Sequence, residues 1–180
     1  MLTVLLSLMP MIGWGASDYI ASRGTKQVNP FTLSFYFMLA GFLATVPIGL
    51  FFGLPAFYLH DCLFIFLASI CFNTGFILML RGFHYGPTGI VATVANSYAM
   101  VVVIYESLIG DKQFGGLVLA GVATIVLGIG MLSYTKPERN EFKSFNKTIL
   151  FSLLALLISG MAFILLRQGS NQQWYQNMLL

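Results

Sequence analysis

Six apolar runs, each near the length needed to cross a bilayer, are joined by short polar connectors, and few folds accommodate that pattern. A helix spans the hydrocarbon core with about 20 residues. The runs lie at 2–20, 31–53, 62–80, 89–109, 115–133 and 148–166. Hydrocarbon offers no hydrogen-bond partners, so a spanning segment must satisfy its own backbone, and a helix does so within one segment. The runs are continuous and lack the two-residue alternation of a membrane barrel. They predict an all-α, polytopic membrane helix bundle with the lipid bilayer as its solvent. Of 180 residues, 58% are hydrophobic and 8% are charged, against roughly 25% charged in a soluble domain.

The connectors 21–30, 54–61, 81–88 and 110–114 are ten residues or shorter, which makes consecutive helices antiparallel neighbours. Only 134–147 reads as a linker, with Lys136, Glu138, Arg139, Glu141, Lys143 and Lys147. Residues 1–135 therefore form a five-helix unit, 136–147 a charged linker and 148–180 the start of a second unit. The first, third and fifth connectors hold seven basic residues, and the other side holds Lys112 and Arg167. Basic loops stay in the cytoplasm, so the odd connectors are expected inside and both termini outside. The chain is expected in the cell membrane as a multi-pass protein. The first run has no Lys or Arg before it, and Asp18 sits near any plausible cleavage point, which predicts a retained helix and not a signal peptide.

Several functions are excluded by what is missing. A net charge of +3, scattered over the chain, does not make a nucleic-acid surface. Cys62 and Cys71 fall in one expected helix, about 13 Å apart along its axis, beyond disulfide reach. His60 and His84 stand alone and read as interfacial residues, with no ligand cluster around them, so no metal is expected. There is no nucleophile–base pair. The glycine pairs lie inside apolar spans and not between a strand and a helix, so they form no phosphate loop. Neither an enzyme nor a cofactor is expected.

A faint internal repeat appears at a shift of 145, where Leu5, Ser7, Leu8, Gly15 and Gly24 meet Leu150, Ser152, Leu153, Gly160 and Gly169. A five-helix unit that repeats inserts its second copy upside down, and inverted repeats are a recurring build of secondary transporters. On this reading the bundle is one five-helix repeat plus the first helix of a second, inverted repeat.

The stretch Gly13 to Ser22 reads GWGASDYIAS, and Val28 to Phe31 reads VNPF. Gly86 to Lys112 reads GPTGIVATVANSYAMVVVIYESLIGDK, and Gly121 and Gly128 follow. In order and spacing these resemble the first, second, fourth and fifth helices of the EamA-like proteins of the drug/metabolite transporter superfamily. The resemblance covers residues 1–135 well and 148–180 thinly. It departs at Tyr98-Ala99, where the family has Tyr-Pro, and at Gly110-Asp111-Lys112, where it has Gly-Glu-Arg/Lys. Ala99 replaces a kinking proline, so the resemblance does not carry a broken-helix role to this position. The second connector also lacks the basic residues many relatives carry. The resemblance implies a ten-helix transporter of which this chain holds one half and one further helix, so an incomplete form, unable to transport efficiently alone, is expected.

Transport needs a polar or aromatic cavity, and polar groups within the membrane usually face neighbours or a water-filled path. Trp14, Asn73 and Asn96 each lie six or seven residues from the same membrane face, about 10 Å into the core. With Tyr98 they are the candidates for lining a substrate cavity. The competing reading joins the asparagines to neighbouring helices and packs Tyr98 and Tyr105. Asp18 and Glu106 are the acids within the spans, either proton-coupling groups or interfacial ones: Asp18 near Arg23 or solvent, Glu106 near Lys112 and water. Gly116, Ala120, Thr124 and Gly128 recur every fourth residue, a small-residue spacing that lets helices approach closely. They pack inside the bundle or against a second copy.

The leading function is a secondary transporter of small metabolites or drug-like solutes by alternating access. The alternative is a non-transporting remnant or an interaction subunit that pairs with a second copy or a complementary half.

Overall fold

The computed structural model describes residues 2–52, 59–109, 114–134 and 142–169. The helices are α1 (Leu2–Gly24), α2 (Pro30–Phe52), α3 (Leu59–Tyr85), α4 (Thr88–Ala95), α5 (Ala99–Leu108), α6 (Gly116–Tyr134) and α7 (Phe142–Gly169). There is no strand among the described residues. α4 and α5 are the halves of one expected span, separated by a 3-10 turn at Asn96–Tyr98. The chain is thus an all-α, polytopic helical bundle. Among the described residues, Cys62–Tyr85, Thr88–Leu108 and Phe145–Gln168 are long and apolar enough to cross a membrane, while Pro30–Ala44 and Gly116–Met131 are shorter apolar helices.

Several helices outrun the apolar runs that announce them. α1 continues through Arg23 to Gly24, and α3 continues through Arg81 to Tyr85. Polar residues end a hydrophobic run, but they do not end a hydrogen-bond ladder. What ends each helix is local chemistry. Asn29 caps α2, its Oδ1 accepting the Phe31 N–H at 3.0 Å, and Pro30 takes the first helical position, where its missing N–H is harmless. Gly86 and Pro87 alone separate α3 from α4. The Gly86 N–H still bonds Gly82 O at 3.0 Å, and Pro87 sits extended with φ −66°.

The centre of the bundle is the antiparallel pair α3 and α7. Gly75 faces Ser159 and Gly86 faces Thr148, each so closely that a Cβ on the glycine would collide with the opposite side chain; Gly82 stands in register with Ser152, its close neighbour being Val91 of α4. The paired numbers descend on one helix as they rise on the other, in a constant register. Gly75, Met79, Gly82 and Gly86 are spaced by four and three residues, as are Thr148, Ser152, Ala155 and Ser159. That alternation keeps one seam on each helix facing its partner in a left-handed pair, and small residues let the backbones close up. Thr148 and Ser152 are fully buried in the seam. Ala21 of α1 and Val91 and Ala95 of α4 complete the core with Met79, Leu80, Phe83 and Ala155.

α2 and α6 lie at the periphery, with outward rows such as Phe35, Phe42, Leu117 and Met131 exposed. The spacing of Gly116, Ala120, Thr124 and Gly128 predicts a close helix contact for α6. Within this chain all four are exposed, and a Cβ at Gly116 or Gly128 would meet nothing within 4 Å. The small residues that seat one helix on another are on α3 and α7, which meet from Phe72 and Phe163 to Gly86 and Thr148.

Candidate functional site

The fourth span breaks at Asn96–Tyr98 although it has no proline there. Hydroxyl bonds to the backbone flank the turn. Thr93 Oγ1 donates to Gly89 O and Ser97 Oγ to Thr93 O, each at 2.7 Å. Hydroxyls that bond back by one turn compete with the ladder and bend helices. The Asn96 N–H is drawn toward both Ala92 O and Val94 O. The departure from Tyr-Pro at Ala99 therefore does not leave the span regular. No single residue type announces the turn, since Ser69, Thr74, Ser107, Thr124 and Ser152 make the same bonds within regular helices.

At the break, Asn96 Nδ2 donates to Asp18 Oδ2 at 2.9 Å, joining α4 to α1. Asp18 is buried and lies six residues inside the end of α1, about 9 Å along the axis. Arg23, the neighbour the sequence offers Asp18, lies over the Tyr19 ring, 5.0 Å from its centroid. Because α1 continues past its apolar run, Asp18 lies within the helix and not at its end.

Trp14 is one turn deeper on α1 and half exposed. Trp14, Asn96 and Tyr98 line one small cleft of about 20 Å³, with Gly75 and Ser159 of the central seam in its wall. The Tyr98 ring stacks on Phe163 of α7, centroids 4.5 Å apart and planes within 4°. Phe163 also meets Phe72 of α3 edge-on at 6.1 Å. Sequence reasoning overlooked Phe163, which in the sequence is one apolar residue among many.

Asn73 takes a separate course. Its Oδ1 accepts the Ser34 hydroxyl at 2.8 Å, tying α3 to α2, and it does not line the cleft of Trp14 and Asn96. Equal depth brought the two asparagines to one level, but they point from different helix faces.

Glu106 is buried and ion-paired with Arg167 near the end of α7. The expectation that it turns to water beside Lys112 is corrected for its own side chain; Lys112 lies outside the described residues. A buried carboxylate needs a charge partner, and α7 supplies one.

A larger cleft of about 320 Å³ opens among α2, α3 and α7, lined by Met38, Ala68, Ser69, Phe72, Ala162, Phe163 and Leu166. It is the roomier of the two; both are lined mostly by apolar surface, and Ser69 is its one polar side chain. The smaller cleft carries convergent polar groups, which are what fix orientation in a binding site, and it is the better candidate. Phe72 lines both, and Phe163, stacked on Tyr98, stands between them. No group of three metal-ligating side chains occurs among the described residues.

The model of the EamA-like transporter family matches residues 1–134. No curated protein and no solved structure matches the chain.

Proposed function

The chain belongs to the EamA-like transporter family, and from that premise we propose that it carries a small metabolite or drug-like solute across the membrane by alternating access around the Asp18–Asn96 pair. Membership makes it a membrane protein of a transporter family, which implies transport and not enzymatic chemistry. The observation that carries the proposal is the bond from Asn96 to Asp18 at the break in the fourth span. A broken helix at membrane depth is tolerated where protein or a cavity satisfies the freed backbone groups, and transporter sites form at such discontinuities.

In this reading Asp18 accepts a hydrogen bond from a solute or holds a transferred proton. Asn96 positions the carboxylate, and Trp14 and Tyr98 offer ring faces. Residues 136–147 act as a cytoplasmic linker, and α7 is the first helix of a second, inverted repeat, so that two repeats rock about the site. The plasma membrane is the proposed location.

The test is reconstitution into liposomes with a panel of amino acids, nucleosides and cationic dyes. Any saturable uptake is expected to be lost in both Asp18→Asn and Trp14→Ala. Saturable uptake that survives both substitutions places the solute path elsewhere and overturns the site.

A further inference from the structure

At the end of the bundle opposite Glu106 and Arg167, cations and aromatic rings form one continuous tier across three helices. The Arg81 guanidinium lies 5.2 Å from the Phe31 ring centroid and 6.0 Å from that of Phe151. Phe151 stacks on Tyr85 at 5.6 Å, planes within 8°. The Lys147 ammonium lies 5.3 Å from the Tyr85 centroid. Arg81 and Tyr85 close the span Cys62–Tyr85, and Lys147 and Phe151 open the antiparallel span Phe145–Gln168. The tier therefore stands at the level where a helix leaves the hydrocarbon.

We propose that this tier is a binding site for the phosphodiester headgroup of an anionic membrane lipid, with Arg81 and Lys147 on the phosphate and the rings along the glycerol and upper acyl chain. The rings hold both cations by their π faces, and such contacts leave the positive charge in place, where a carboxylate would cancel it. Arg23 and Lys26, where α1 ends and the first connector begins, stand at the same end. Basic groups at a membrane surface attract anionic lipid, and aromatic rings settle at headgroup level. Phe31 and Tyr85 leave apolar ring surface exposed beside the cations. A ligand with both a phosphate and a hydrocarbon tail fits that surface better than free phosphate does. The site is independent of the transport proposal.

The experiment reconstitutes the chain in phosphatidylcholine vesicles and measures its association with spin-labelled phosphatidylglycerol and spin-labelled phosphatidylcholine. Phosphatidylglycerol should be preferred by about fivefold or more, and Lys147→Gln and Arg81→Gln should each remove most of that preference. Lys26→Gln removes a charge from the same end but outside the tier, and should leave most of the preference. Unchanged phosphatidylcholine association in each variant guards against misfolding, and the exposed Lys147 makes the safer substitution. Equal association of the two lipids in the parent overturns the proposal. So does an effect of Lys26→Gln as large as that of Lys147→Gln, or full displacement of the labelled lipid by inorganic phosphate.

Discussion

Asn96 and Asp18, 78 residues apart, are joined by a hydrogen bond of 2.9 Å where the fourth span breaks. The bond ties the first helix to the discontinuity, so any shift of α1 is felt at the break. Replacing Asp18 by Asn keeps the shape and removes the charge. The Asn oxygen still accepts the bond from Asn96, so the loss falls on the charge, and Asp18→Asn is expected to lower any saturable solute flux by about tenfold, a difference of ~1.4 kcal/mol. Initial rates in proteoliposomes, compared at equal protein, check this.

The α3–α7 seam carries a contrast in stability. Leucine at Gly75 would drive into Ser159 and the α7 backbone, and overpacking a tight contact typically destabilises by about 1–3 kcal/mol. Leucine at Gly128 meets open space and should be nearly neutral. Thermal unfolding in detergent is expected to show a clear loss for Gly75→Leu and little change for Gly128→Leu. Equal losses would show that α6 has a neighbour the seam does not account for.

Glu106 and Arg167 couple α5 to α7. The arginine side chain is 44% exposed, which screens the pair and keeps its worth below that of a fully buried one. A double-mutant cycle with Glu106→Gln and Arg167→Gln is expected to give a coupling energy of about 1–2 kcal/mol, within the usual span for contacting residues. Additive effects would mean that the two charges do not support each other.

Orientation can be read at the first connector. Lys26 is exposed between α1 and α2, on the side with the excess of basic residues, and basic loops face the cytoplasm. A single cysteine at Lys26, in a background with Cys62 and Cys71 replaced, should react with an impermeant maleimide only after the cells are opened. Labelling of intact cells would invert the topology and leave the helices unchanged.

Much of the architecture was legible in residue order. Apolar runs without two-residue alternation determine helices, because hydrocarbon leaves the backbone no other way to satisfy itself, and short connectors set neighbouring helices antiparallel. The family resemblance was legible in the same way, in GWGASDYIAS and the glycines that follow. Tertiary structure decided which faces meet. Gly116 and Gly128 have the spacing of a packing stripe and stand open, while Gly75 and Gly86 close on α7 and Gly82 on Val91 of α4. Spacing along one helix shows that a close approach is feasible, but only the partner helix, set by the whole bundle, shows whether it is made. Asn73 and Asn96 share a depth, yet one bonds Ser34 and the other Asp18. Depth follows from counting residues, whereas direction depends on how each helix is rotated against its neighbours. Rotation is a collective outcome of packing, so Phe163 and Arg167, ordinary in sequence, became neighbours of Tyr98 and Glu106 only when α7 settled against α3.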